Sequence, residues 1–292
     1  MRRAAALLTL PLLAAAIAGD LHAATAARTA DPWVFPMLVS GAVTDPPGIS
    51  VAQATTTDEQ RQREQYIQRA LQAPAVPAIA GRKERSTGTA FYVADHVLLT
   101  NYHVVRECPV LTIQSGEDGV EPAVAAVSAA DQADDLALLR SKAAGDAAAA
   151  LEAALDHVDG SDLSVVGYPL HGLVVRKPTI TAAQANPDAL KSSGELFQFR
   201  ADVHPGQSGS PLLDEYGAVV GVVARKVDSV ATYQKSGRLV TDVGFAIPNR
   251  TILAFLQAQH VHYRVAIPNG SLSPAERLEK GRAFVARVSC WS

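Results

Sequence analysis

Aromatic residues make up only 5% of this 292-residue chain. Its core must therefore draw on Val, Leu and Ile, because much of the 48% hydrophobic content is Ala, which adds little burial per residue. Charge is sparse too: Asp, Glu, Lys and Arg together reach 19%, with a net charge of −3. No stripe of Lys or Arg runs along the sequence, so it lacks the electrostatic footprint of a nucleic-acid binder. Cysteine occurs only as Cys108 and Cys290. That leaves no thiolate cluster for zinc, and His260-x-His262 is not a metal-ligand spacing. Neither a metal nor an organic cofactor is called for. No second long apolar run follows the N-terminus, so no membrane span is expected after that segment is removed.

The N-terminal segment reads as an export signal over residues 1–26. Arg2 and Arg3 supply the positive region, Ala4 to Ala18 are apolar apart from Pro11, and Ala16-Ile17-Ala18 and Ala24-Thr25-Ala26 offer small-residue cleavage patterns. About 15 apolar residues fall short of a membrane anchor, which needs about 20. The expected mature protein is periplasmic or secreted. In an oxidising compartment two cysteines are expected to pair, so a disulfide between Cys108 and Cys290 is expected, with two independent buried thiols as the alternative.

Residues 27–87 form an N-terminal arm, rich in Pro, Ala and Thr at first. Thr57-Asp58-Glu59-Gln60 fits a capping box and predicts a helix near 58–73, weakly amphipathic, with Tyr66, Ile67, Ala70 and Leu71 as its anchors. From Thr89 the pattern changes to short strands. Candidates are 90–93, 96–100, 110–114, 124–127, 136–139, 163–166, 179–185, 196–201, 211–213 and 218–223. Many short strands with Gly, Pro and Asp between them predict an all-β sandwich or barrel. The Ala-rich piece 143–155 reads as a loop, and 252–258 as a helix opened by Asn249.

Three segments supply the parts of one reaction. Acyl transfer needs a nucleophile, a base, a group that orients the base, and donors for the oxyanion. In Pro205-Gly206-Gln207-Ser208-Gly209-Ser210-Pro211 a Ser lies between two glycines, where the backbone turns tightly. The amides of Gly206 and Ser208 could there converge as an oxyanion hole. The same string also fits an ordinary Gly/Ser/Pro loop, and it is not the G-x-S-x-G elbow of the α/β-hydrolases. His103 follows the strand Leu98-Leu99-Thr100 directly, and Asp135 precedes the strand Leu136-Ala137-Leu138-Leu139. Taken singly, a structural His and a solvated Asp134-Asp135 turn are the plainer readings. Their joint order, His, Asp, Ser, matches the chymotrypsin type of triad.

Together Gly88-Thr89-Ala90-Phe91, Thr100-Asn101-Tyr102-His103, Asp135-Leu136-Ala137-Leu138 and Gly206-Gln207-Ser208-Gly209-Ser210-Pro211 resemble the bacterial trypsin-like peptidases of the HtrA/Deg group. Gly244-Phe245-Ala246-Ile247-Pro248 with the following helix looks like the end of their protease domain, placed here at 88–265. The resemblance implies two orthogonally packed six-stranded β-barrels, here with an N-terminal helical arm and a C-terminal helix. It also implies a serine endopeptidase acting on polypeptides, with His103 as general base, Asp135 orienting it and Ser208 attacking. A catalytically inactive protease-fold binding or chaperone-like protein is the alternative.

The chain also departs from that group. The tail, 266–292, is too short for the PDZ module usual there, so no PDZ is expected. Pancreatic-type relatives pair a newly cut N-terminus with an Asp beside the nucleophile, but here that neighbour is Gln207, so no free terminus is needed. The Gly-Ser-Pro ending leans to the glutamyl-endopeptidase branch, yet Val222-Val223-Ala224 carries no His, so Glu selectivity is not implied. For the substrate pocket the carry-over points to Asp202 as a floor that selects Arg or Lys, and to Val223, Ala224 and Arg225 as a wall. Arg225 could neutralise Asp202, which shifts the expectation to small aliphatic residues.

Overall fold

The computed structural model describes residues 51–116, 120–153, 161–170, 177–186 and 196–292. All fall within the unit Asp45–Ser292. The export segment and the first part of the arm lie outside the described residues.

Helix α1 (Val51–Gln72) and the short α2 (Ala75–Ile79) precede the strands. The helix begins six residues before Thr57, so the Thr57 capping box is not its start. Ile67 is its buried anchor, whereas Tyr66 is half exposed. Glu64 on its outer face accepts two hydrogen bonds from Arg140 Nη1, both at 3.2 Å.

The first barrel contains β1 (Glu84–Ala94), β2 (Val97–Thr100), β3 (Val110–Ser115), β4 (Ala123–Asp131) and β5 (Leu136–Ser141), with the one-turn α3 (Tyr102–Val105) after β2. These strands contain or overlap the predicted runs, with β1 beginning six residues before the run at 90–93 and β4 continuing four residues past the run at 124–127. The sixth strand comes from the far end of the chain: β14 (Val285–Trp291) lies antiparallel between β1 and β3 and closes the barrel in the order β1-β14-β3-β4-β5-β2. The domain therefore does not stop at 265, because the tail supplies one wall of the barrel.

The second barrel is built from β7 (Asp162–Gly167), β8 (Thr179–Ala185), β9 (Phe197–Arg200), β10 (Pro211–Leu213), β11 (Val219–Lys226) and β12 (Val243–Pro248). Strand order β10-β7-β8-β9-β12-β11, together with a β10–β11 pairing, closes this ring of six. The two-residue β6 (Ala150–Leu151) and β13 (Arg264–Val265) extend it beyond β11. Helices α4 (Ser229–Ser236), α5 (Asn249–Ala258) and α6 (Pro274–Arg282) connect the strands. Ser273 and Glu276 form a reciprocal capping box at the start of α6, which directs the chain into β14.

The scarcity of aromatics shows in the packing. Inside the second barrel Leu163, Val165, Leu212, Val220 and Val223 surround one fully buried ring, Phe199. Each such aliphatic side chain contributes on the order of 1.5–3 kcal/mol on burial. In β1 the residues from Gly88 to Val93 are buried without alternation, because this strand faces its own core on one side and the second barrel on the other. Tyr168, just after β7, donates its hydroxyl to the Gly116 carbonyl at 3.0 Å, and burial pushes its phenol well above the usual range, so it stays a donor. Among the described residues no helix is long and apolar enough to cross a membrane.

Candidate active site

His103 projects from α3, which starts directly after β2. Its Nδ1 lies 2.7 Å from Asp135 Oδ2, and its own amide N–H donates to Asp135 Oδ1 at 2.9 Å. The Asp135 carbonyl accepts from Tyr102 N and from Asn101 Nδ2, both at 3.1 Å. The segment 101–103 is thereby zipped to Asp135 through backbone and side chain. Asp135 holds a left-handed φ of 54°, which costs little for Asp and turns its carboxylate back towards the imidazole. Nδ1 must carry the proton to donate to this carboxylate, which leaves Nε2 as the basic nitrogen.

Ser208 sits in the loop between β9 and β10. Gly206 and Gly209 hold φ values of +90° and +83°. A Cβ on Gly206 would stand 2.4 Å from the Tyr168 carbonyl oxygen, and one on Gly209 would stand 2.0 Å from that of Thr89. Only glycine meets both the conformation and the space.

The loop is tied down bond by bond. The Thr89 amide donates to the Ser208 carbonyl at 2.9 Å, and its hydroxyl donates to the Gly206 carbonyl, also at 2.9 Å. The Leu170 amide holds the Pro205 carbonyl at 2.8 Å, and the Ser210 amide holds that of Gln207 at 3.0 Å. The amides of Gln207 and Gly209 are likewise spent, on His204 and Val223. Among the described residues the amides of Gly206 and Ser208 donate to no protein group. Backbone donors away from water are nearly always used, so the two unspent amides, one of Gly206 and one of Ser208 itself, mark a place fit for a negative oxygen. The Ser208 hydroxyl itself donates to the Ala224 carbonyl at 3.4 Å. Among the described residues no hydrogen bond joins it to His103.

The four residues assigned to the substrate pocket have different surroundings. Val223 belongs to the core of the second barrel. Ala224 offers its carbonyl to Ser208, and Arg225 is exposed, with its guanidinium 5.4 Å from the ring centre of Phe245. Asp202 has a side chain 72% exposed and lies 3.1 Å from His204 Nε2, not against Arg225. An exposed carboxylate that already faces a ring nitrogen does not make a buried pocket floor. Cys108 and Cys290 lie with Cα atoms 5.6 Å apart and sulfurs 2.08 Å apart, joining the chain just after α3 to β14.

Sequence reasoning missed Thr89, Asn101 and the carbonyl of Ala224. The available signal was the place of Thr89 within Gly88-Thr89-Ala90-Phe91 and of Asn101 within Thr100-Asn101-Tyr102-His103, since a Thr inside a strand otherwise reads as sheet former.

Residues 88–222 match the trypsin-like peptidase domain. An uncharacterised protein of Sinorhizobium fredii is 30% identical over 207 residues, covering 70% of this chain and 32% of that protein. The chloroplastic Protease Do-like 2 of Arabidopsis thaliana is 31% identical over 181 residues, covering 60% of this chain and 28% of its own. The chain spans about a third of the length of these curated relatives. A solved Mycobacterium tuberculosis protein in an inactive form is 25% identical with a TM-score of 0.48, covering 64% of this chain and 91% of that one.

Proposed function

We propose that this chain, whose residues 88–222 belong to the trypsin-like peptidase domain family, is a serine endopeptidase that cleaves exported or damaged polypeptides outside the cytoplasm. Two observations support the reading: the His103 imidazole is oriented by the Asp135 carboxylate, and in the Ser208 loop the amides of Gly206 and of Ser208 itself are unspent. An inactive binding protein has no need to keep those amides free or to hold the imidazole in one tautomer.

In the proposed reaction Ser208 Oγ attacks the carbonyl carbon of the scissile peptide while His103 Nε2 takes the hydroxyl proton. Asp135 holds Nδ1–H and stabilises the imidazolium that forms. The carbonyl oxygen becomes an anion between the amides of Gly206 and Ser208. Collapse breaks the C–N bond, and the amine leaves with the proton from Nε2. Water then attacks the acyl-enzyme ester by the same route and frees Ser208. The Ser208 hydroxyl first gives up its long bond to the Ala224 carbonyl in favour of His103, and catalytic hydrogen bonds are often loose before substrate binds. The exposed placement of Asp202 favours small aliphatic residues over Arg or Lys beside the scissile bond. An export-type N-terminus and a cysteine pair support a periplasmic or secreted location.

The test is hydrolysis of fluorescent casein. Ser208→Ala is expected to lose on the order of 10⁴-fold or more in rate, with its thermal unfolding unchanged, because the hydroxyl takes no part in packing. Turnover retained by purified Ser208→Ala protein removes Ser208 from the role.

A further inference from the structure

The four residues before Ser208 form a β-turn. Gln207 N donates to the His204 carbonyl at 3.1 Å, Pro205 and Gly206 take the two central positions, and Gly206 has φ +90°. Pro followed by a positive-φ Gly is the signature of a type II turn. Types I and II differ by a flip of the central peptide, here Pro205–Gly206. In the flipped form the Pro205 carbonyl, not the Gly206 amide, would face the place where the oxyanion forms. Which turn is held therefore decides whether one of the two receptor amides exists.

The side chain of Gln207 closes on this turn from within. It is fully buried, and both ends of its carboxamide are used. Oε1 accepts from the His204 amide at 2.7 Å, at the start of the turn. Nε2 donates to Thr181 Oγ1 on β8 at 3.0 Å. The backbone and side chain of this one residue thus hold both polar groups of His204 and fasten the turn to the barrel wall. Gln207 makes no contact with a reacting atom.

We propose that Gln207, anchored on Thr181, is a positioning residue that keeps the Gly206 amide turned towards the oxyanion through neutral hydrogen bonds alone. The inference rests on the peptidase reading above. An apolar side chain at 207 would leave the His204 amide and the Thr181 hydroxyl without these partners and the turn without its tether to β8, leaving the Leu170 amide on the Pro205 carbonyl and the Thr89 hydroxyl on the Gly206 carbonyl to hold it.

The experiment measures phosphonylation of Ser208 by a fluorophosphonate probe, separating the limiting rate from the half-saturating concentration. Gln207→Leu keeps the bulk and deletes both bonds. Its limiting rate is expected to fall about 10²–10³-fold, the effect of losing one oxyanion donor, with half-saturation changed less than about threefold. Gln207→Glu is expected to recover to within about tenfold, since a carboxyl accepts from His204 N–H and pairs with the Thr181 hydroxyl in either protonation state. Thr181→Val, which leaves the turn's own residues intact, is expected to lose about tenfold, the worth of one hydrogen bond. Should Gln207→Leu lose its cooperative melt, Thr181→Val decides the question alone. Wild-type limiting rates in Thr181→Val, or in a folded Gln207→Leu, overturn the assignment, as does a change confined to half-saturation. A wild-type protein that never reacts fails as a peptidase and takes this inference with it. A reactive wild type with indifferent variants sinks this inference only.

Discussion

The two barrels hold equal numbers of strands but are drawn from the chain in different ways. The second takes its six strands from one stretch, 162–248, and carries Ser208 with the undonated amides of Gly206 and Ser208. The first takes five strands from 84–141 and its sixth from 285–291, and it carries His103 and Asp135. Half of the site is thus local in sequence, while the other half waits for the end of the chain. Contacts across such separations form slowly, because loop-closure entropy must be overcome before they stabilise anything. β14 brings two devices that hold it in place. Cys290 reaches Cys108 across 182 residues, and Arg287, buried in the barrel, pairs with Glu84 at the start of β1.

The largest expected effect comes from removing β14. A chain ending at Arg282 leaves β1 and β3 as open edges and takes the disulfide with it. The loss is expected to match or exceed the roughly 5–15 kcal/mol that holds a typical domain together. Circular dichroism should show no cooperative first-barrel transition, and a truncated protein that melts like the full chain would mean that the first barrel stands without its sixth strand.

Next in size is Asp135→Asn. It preserves the shape of the carboxylate but lets His103 settle in the wrong tautomer, so hydrolysis is expected to fall about 10⁴-fold. The urea midpoint should barely move, since the effect lies in proton placement and not in packing. A loss below about tenfold would mean that Asp135 does not hold the His103 proton during the reaction.

How much of this was legible beforehand differs between the same two halves. Strands β3, β5, β8, β10 and β11 announced themselves by apolar runs between turn residues, and the residues at the site lay in short local motifs. β14 did not, because Arg287 interrupts its apolar pattern and its partners lie about 170–200 positions upstream. The left-handed φ of Asp135 is likewise invisible in sequence, where Asp134 and Asp135 look alike. The capping pattern at Thr57 misled because α1 already runs through it. The turn of the Asp202 carboxylate towards His204 and solvent was also invisible, because six residues of spacing fix where a backbone passes but not where a side chain turns.

Replacing both cysteines by Ser is expected to lower stability by about 2–5 kcal/mol, the range for a native disulfide that closes a long loop. Hydrogen exchange should localise the change. Amides of β14, β1 and β3 should lose protection while those of β7 to β12 keep theirs, and uniform loss would contradict a change confined to the first barrel. Glu84→Gln, which leaves Arg287 with a weaker partner, is expected to cost about 2 kcal/mol in urea, below the usual range for a broken buried pair because Glu84 retains some exposure. The smallest effect sharpens the pocket assignment. Asp202→Asn should leave the peptide-library preference beside the scissile bond unchanged and the rate within about twofold, since the carboxylate is exposed.

The central claim is that the first barrel's imidazole and the second barrel's serine form one reactive centre. Mass mapping after fluorophosphonate treatment tests it most directly. A single adduct on Ser208 is expected, absent from Ser208→Ala and slowed at least about 10³-fold in His103→Ala. No adduct, an adduct on another residue, or a Ser208 adduct that forms equally fast without His103 would contradict it.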